Sequence, residues 1–262
     1  VDRAVAIGCE CMQIFVGSPR QWRLVAYDRE DLEEFRRKRR AADLDPLFAH
    51  TSYLVSLASE GELYEKSIRS LTHTLRVIDA LDGGGAVTHI GSSGVSLPRA
   101  AGRVARAVRR ALRASETAMV LLEGSAGATL GGTFAELRAV LDSLDGHARV
   151  GICLDTAHLF AAGWDIRTTA GVGRMLDAFQ NAIGLERLRL LHLNDSRATC
   201  GSRLDRHENI GQGAVGLRGF RAIVRERRLR GLPGIIETPG FDRQGPDRRN
   251  LEILRALRGR RG

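Results

Sequence analysis

Lysine is almost absent from this chain. Lys38 and Lys66 are the only two among 40 basic residues, so arginine carries the positive charge. A guanidinium fork suits bidentate phosphate contact, although so lopsided a ratio also follows from genome composition. Paired thiols are absent too, because Cys9, Cys11, Cys153 and Cys200 include no C-x-x-C pair. A chain of 262 residues does not need a disulfide framework to hold its core, and a reducing cytoplasm is expected. Cys153, inside an apolar run, is expected to be a buried, inert thiol. No apolar run reaches the ~18 residues of a membrane span. Nor does the N-terminus carry the charged, apolar and small-residue order of a secretory signal. No Pro-, Ser- or Gly-rich tract divides the sequence, so a single domain over 1–262 is expected, acting as a cytoplasmic monomer without a membrane partner.

The hydrophobic content of 43% and charged content of 27% are those of a soluble globular domain, which excludes a disordered or fibrous chain. The formal charge of +9 favours an anionic partner, since basic groups that neutralise phosphates release counterions when nucleic acid binds. A soluble enzyme with an arginine-rich surface accounts for the charge equally well.

Short apolar runs alternate with longer stretches of helical period, the pattern of repeated β-α units around a parallel sheet. The runs are Cys11–Val16, Leu44–Ala49, Ala86–His89, Ala118–Leu122, Val150–Leu154, Leu188–Leu193 and Pro233–Ile236. The helical stretches are Asp2–Ile7, Asp31–Arg40, Leu63–Leu81, Arg99–Ala114, Phe134–Leu144, Val172–Ile183, Leu217–Arg228 and Arg248–Leu257. In the third of these, Leu63, Ile68, Leu71, Leu75 and Ile78 form a stripe that faces the sheet. Thr133 and Glu136 have capping-box spacing at a helix start. A TIM (β/α)8 barrel is the natural α/β architecture, with one strand short of eight and the first strand expected to be missing from this chain. An open doubly wound sheet lacks its Gly-rich phosphate turn here.

Six of the seven runs end on a residue that can hold a metal: His50, His89, Glu123, Asp155, His192 and Glu237. Parallel strands of a barrel bring those ends to one face. His158, Asp205 and His207 lie in loops on the same side. Each has a plain alternative, a hydrogen-bonded structural histidine or, for Asp155, a helix cap. Coincidence at six strand ends outweighs those alternatives, whereas His73 within a long helix and His147 in a polar connection are read as structural. Imidazole and carboxylate donors without thiolate suit zinc, with manganese or iron also accommodated. Five histidines and four carboxylates exceed what one zinc takes, so two or three ions are implied. Clustered ions suit phosphodiester hydrolysis.

At these residues the sequence resembles the endonuclease IV family of abasic-site DNA endonucleases, from about Met12 to Glu237. The most specific stretches are Cys-Leu-Asp-Thr-Ala-His-Leu-Phe-Ala-Ala-Gly-Trp-Asp (153–165), His-Leu-Asn-Asp-Ser (192–196) and Leu-Asp-Arg-His-Glu-Asn-Ile-Gly (204–211). Weaker ones are Gln-Ile-Phe, Arg-Gln-Trp, His-Thr-Ser-Tyr-Leu and Ile-Glu-Thr, at 13–15, 20–22, 50–54 and 236–238. The resemblance implies a TIM barrel with three zinc ions that hydrolyses the phosphodiester 5′ to an abasic site in duplex DNA. It leaves a 3′-hydroxyl and a 5′-deoxyribose phosphate, in base excision repair. It implies one zinc on His50, His89 and Glu123, a second bridged by Glu123 and completed by Asp155, His192 and Glu237, and a third on His158, Asp205 and His207. Glu123 and Glu237 are thereby placed at the catalytic centre. Arg20, Gln21, Tyr53 and Leu54 match positions that contact DNA, where the abasic nucleotide is flipped from the stack.

Three departures stand out. The family's first strand, with its Gly-Ala-His sequence, has no counterpart here. Gly124 follows Glu123 where the family has Asn, and Gly17-Ser18-Pro19 replaces a more polar loop. Two other functions stay open at this point, a metal-dependent sugar isomerase or epimerase on the same barrel, and a damaged-DNA binding protein whose catalysis has decayed.

Overall fold

The computed structural model describes residues 1–259. The described residues divide into two compact units, one comprising Val1–Glu123 and Ala135–Ile152, the other Gly124–Phe134 and 153–259.

The first unit opens with helix α1 (Asp2–Ile7) and then alternates strands and helices: β1 (Met12–Phe15), α2 (Arg29–Ala41), β2 (Leu47–His50), α3 (Gly61–Ala80), β3 (Gly85–Thr88), α4 (Leu97–Leu112), β4 (Met119–Glu123) and α5 (Phe134–Ser143). β1 pairs with β2, β2 with β3 and β3 with β4, all in parallel, as the alternating pattern requires. Every residue of β2 and β3 is buried, which explains why these strands read as unbroken apolar runs rather than alternating ones. The stripe expected on α3 is buried at Ile68, Leu71, Leu75 and Ile78, but Leu63 lies outside it and is exposed. Gly85 keeps β3 against β4, because a Cβ there would stand 2.6 Å from the Met119 carbonyl oxygen.

Some of the arginine excess is structural. Arg39 is buried at the end of α2 and donates to the carbonyls of Leu44, Leu81 and Asp82 and to the Asp45 carboxylate, which fastens the loops that enter β2 and β3. Arg149 does the same for Leu112 and Ser115 ahead of β4. A guanidinium is suited to this, since its fixed fork meets several carbonyls at once.

Strand β5 (Val150–Asp155) passes from the first unit into the second. There follow α6 (Thr156–Ala161), α7 (Thr169–Ala182), β6 (Leu188–His192), β7 (Asp195–Ser196), β8 (His207–Glu208), α8 (Gly216–Arg225), β9 (Gly234–Ile235) and α9 (Arg248–Arg258). β6 and β9 pair in parallel, while β7 and β8 form a two-stranded antiparallel pair that the sequence pattern does not announce. Including β5 and β9, seven strands of the described residues belong to the main sheet, matching the seven apolar runs. Trp164 stacks on Phe134 with ring centroids 5.1 Å apart, filling the space beside α7. No helix among the described residues is long and apolar enough to cross a membrane.

Candidate metal centres

His50, Glu123, Asp155 and His192 are the last residues of β2, β4, β5 and β6, and His89 follows β3 directly. Glu237 comes two residues after β9, and His207 opens β8. The side chains are held here because a parallel strand ends where its carbonyls lose their ladder partners, and the next residues turn into loop or helix.

In the first unit His50, His89 and Glu123 converge. The Nε2 atoms of His50 and His89 lie 3.0 and 3.3 Å from Glu123 Oε2. His50 and Glu123 are almost wholly buried. The other ring nitrogen of His50 sits 2.7 Å from the Thr51 carbonyl oxygen. A carbonyl only accepts, so that nitrogen carries a proton, and Nε2 faces the carboxylate. Lone pair against carboxylate is repulsive unless a proton or a cation lies between them. Phe15 and Tyr53 close the apolar side, with ring centroids 5.5 and 5.8 Å from that of His50.

The second unit gathers Asp155, His158, His192, Asp205, His207 and Glu237. Asp155 is both of the things the sequence allowed. Its Oδ1 caps α6, accepting from the backbone N–H groups of Ala157 and His158 at 2.6 and 3.1 Å. Its Oδ2 faces the ring nitrogens of His192 and His207, at 3.8 and 3.5 Å. His192 Nδ1 is also 3.2 Å from Glu237 Oε2. His158 repeats the arrangement of His50: Nδ1 donates to the Gly124 carbonyl at 2.9 Å, and Nε2 faces Asp205 Oδ2 at 3.2 Å. The contact with Gly124 is made by its backbone, so the missing Asn side chain does not affect it.

His207 gives the clearest sign that the group fits a cation. Its Nε2 is buried, 3.1 Å from Asp205 Oδ1 and 3.5 Å from Asp155 Oδ2, yet it is aligned for a hydrogen bond with no described residue. Burial by itself would lower the His207 pKa, but the Asp155 and Asp205 carboxylates outweigh it and hold the imidazolium up to about 9. Burial would raise Asp205, and the two histidines instead pull it well below the usual carboxylate range. Without a cation the cluster therefore recruits a proton as its positive charge. The donors are nitrogen and oxygen throughout, a set suited to zinc, manganese or iron.

The ligand atoms of His50, His89 and Glu123 lie within 4.8 Å of one another, and the same is true of Asp155, His158 and His207 and of Asp155, His192 and Glu237. With Asp205 against His158 and His207, all nine residues singled out in the sequence fall into close groups within their own units. His73 and His147 belong to no such group among the described residues.

Arg20, Gln21, Tyr53 and Leu54 are all exposed, and the backbone ties their two segments together. The Pro19 carbonyl accepts from the Ser52 hydroxyl at 2.8 Å and from the Tyr53 N–H at 2.9 Å. The unusual loop before Arg20 thereby braces the turn that displays Tyr53 and Leu54. Two residues carry no signal in the sequence beyond the resemblance. Asn194 and Asp195 lie buried two and three residues after His192. Asp195 accepts from the backbone N–H groups of Ser196, Gly211, Gly213, Val215 and Gly216, holding the chain that follows β8. Neither offers a strand-end pattern that would have revealed it.

Residues 1–258 match the AP endonuclease 2 family, described as a xylose isomerase-like TIM barrel. A probable endonuclease 4 of Methanoculleus marisnigri is 42% identical, covering 99% of this chain and 94% of that protein. The crystal structure of endonuclease IV from Thermus thermophilus superposes with a TM-score of 0.86 at 37% identity, covering 98% of this chain and 91% of that one. A D-tagatose 3-epimerase-like protein shares the fold alone, with a TM-score of 0.67 at 16% identity, covering 95% of this chain and 88% of that one. Coverage and identity on this scale, together with the grouped histidines and carboxylates at the strand ends, establish that the chain belongs to the endonuclease IV family of TIM barrels.

Proposed function

We propose that this protein is a metal-dependent endonuclease that hydrolyses the phosphodiester 5′ to an abasic site in duplex DNA, as a step in base excision repair. The observation that carries the reading is the set of nine histidines and carboxylates, gathered in groups whose ring nitrogens and carboxylate oxygens face one another at ligand-forming distances. Family membership and the charge of +9 support a nucleic-acid substrate. His50, His89 and Glu123 would hold one zinc ion. His158, Asp205 and His207 would hold another, and Asp155, His192 and Glu237 a third shared with Glu123, as the family resemblance implies. Bound cations would supply an acidified water and positive charge for the attacking and leaving oxygens.

The chain's own part is orientation. The Thr51 and Gly124 carbonyls fix the tautomers and aims of His50 and His158, and the cap on α6 fixes Asp155. Arg20, Gln21, Tyr53 and Leu54 would meet the duplex, where a missing base has already removed part of the stacking cost of flipping the nucleotide. Metal analysis of the purified protein tests the reading against a sugar isomerase or epimerase on the same barrel. About three ions per chain are expected from the donor count, and one ion per chain would favour the sugar enzyme.

A further inference from the structure

Asn194 is fully buried between two of the carboxylates assigned to cation binding, and its amide can sit only one way round. Its Oδ1 accepts from the backbone N–H of Glu237 at 2.7 Å, so Nδ2 is the opposite end. That Nδ2 donates to Asp155 Oδ2 at 2.6 Å and reaches Glu237 Oε2 at 3.4 Å. The backbone of Asn194 is pinned independently, since Thr156 Oγ1 accepts from its N–H at 2.9 Å and donates to its carbonyl at 2.7 Å.

An ionised carboxylate has about four lone-pair directions. On Asp155 the cap of α6 fills two on Oδ1, and Asn194 fills one on Oδ2. One direction remains, on the oxygen that faces His192 and His207. We infer that Asn194 is a positioning residue that restricts Asp155 to a single-oxygen ligand and sets its spacing from Glu237. A bidentate grip by Asp155 would require breaking either the helix cap or the Asn194 bond. The amide suits this place because it donates to the carboxylate while accepting from the Glu237 backbone. Aspartate or alanine lacks the donor.

This inference rests on the proposed cation sites. The test is cobalt(II) binding to the metal-free protein, read by chelator competition and by the visible absorption of the bound ion, which reports coordination geometry. Asn194→Asp keeps the shape and the acceptor for Glu237 N–H but places an oxygen against Asp155 Oδ2. Expected are cation affinity weaker by about 10–100-fold and an altered cobalt spectrum, with a lower melting temperature without metal because a second carboxylate oxygen is buried against Asp155. Asn194→Ala, which adds no charge, should change the spectrum in the same sense and carries the test should the aspartate variant fail to fold. Thr156→Val removes the backbone clasp alone, and should lower the melting temperature while leaving the spectrum as in wild type. Wild-type affinity and spectrum in either Asn194 variant would overturn the inference, as would an equal spectral change in Thr156→Val. Wild-type protein that takes up no cobalt would instead fail the function reading beneath it.

Discussion

Raising the pH from 7 to 9 should tighten cation binding at the group formed by His158, Asp205 and His207, because there the cation competes with a proton. The His207 imidazolium is held up to about 9, against 6.5 for an unperturbed imidazole. At pH 7 the metal-free protein therefore carries a proton on the nitrogen a cation needs. Removing a proton two pH units below its pKa costs about 2.7 kcal/mol, so apparent affinity should rise about 100-fold between pH 7 and 9 and level off above. The sign for stability without metal is the opposite. A folded pKa above the unfolded one gives stabilisation that is complete below about 6.5 and lost as pH rises through about 9, at most about 3 kcal/mol. Calorimetric titration in two buffers of different ionisation enthalpy measures the proton count. Release of close to one proton per ion at pH 7, falling toward zero above 9, is expected. Affinity independent of pH across that window would mean that Asp155 and Asp205 do not hold His207 charged.

Other outcomes follow from named contacts. Asp195→Ala would leave five backbone N–H groups without their acceptor, and at about 1–3 kcal/mol for each one that stays buried, a drop in melting temperature of ten degrees or more is expected on about 2–4 °C per kcal/mol. An unchanged melt by circular dichroism would mean that solvent satisfies that segment. Glu237→Gln should lower incision of abasic DNA by about 100-fold or more while leaving the melt of the metal-free protein intact, since the Glu237 backbone bond to Asn194 is kept. Leu54→Ala, at an exposed position outside the ligand groups, should weaken binding to an abasic duplex without changing the ion count; equal binding by both proteins would remove Leu54 from the DNA surface.

The repeated β-α pattern was legible because buried parallel strands leave unbroken apolar runs, and each ran close to its observed strand. The exceptions have local causes. The run beginning at Leu44 yields a strand only from Leu47, since the Leu44 N–H is engaged with the Arg39 carbonyl at the end of α2 and Pro46 has no N–H to give. Helix α6 was hidden by its short, wholly buried sequence, which has no polar face to give a helical period. The β7–β8 pair was hidden because two-residue strands carry no alternation. Ligand candidates stood out because His, Asp and Glu are unusual at apolar strand ends. Asn194 did not, because an amide that orients ligands has no charge and no spacing rule, and only its hydrogen bonds reveal it.

Hydrolysis of one phosphodiester beside a missing base leaves a strand break of defined position and end chemistry. An end-labelled duplex carrying a single stable abasic analogue, incubated with the zinc-loaded protein and resolved on a sequencing gel, reads both. One cut immediately 5′ to the analogue, leaving a 3′-hydroxyl that a polymerase extends, and lost on chelation, is the expected result. An intact strand in the presence of a full complement of ions would contradict it.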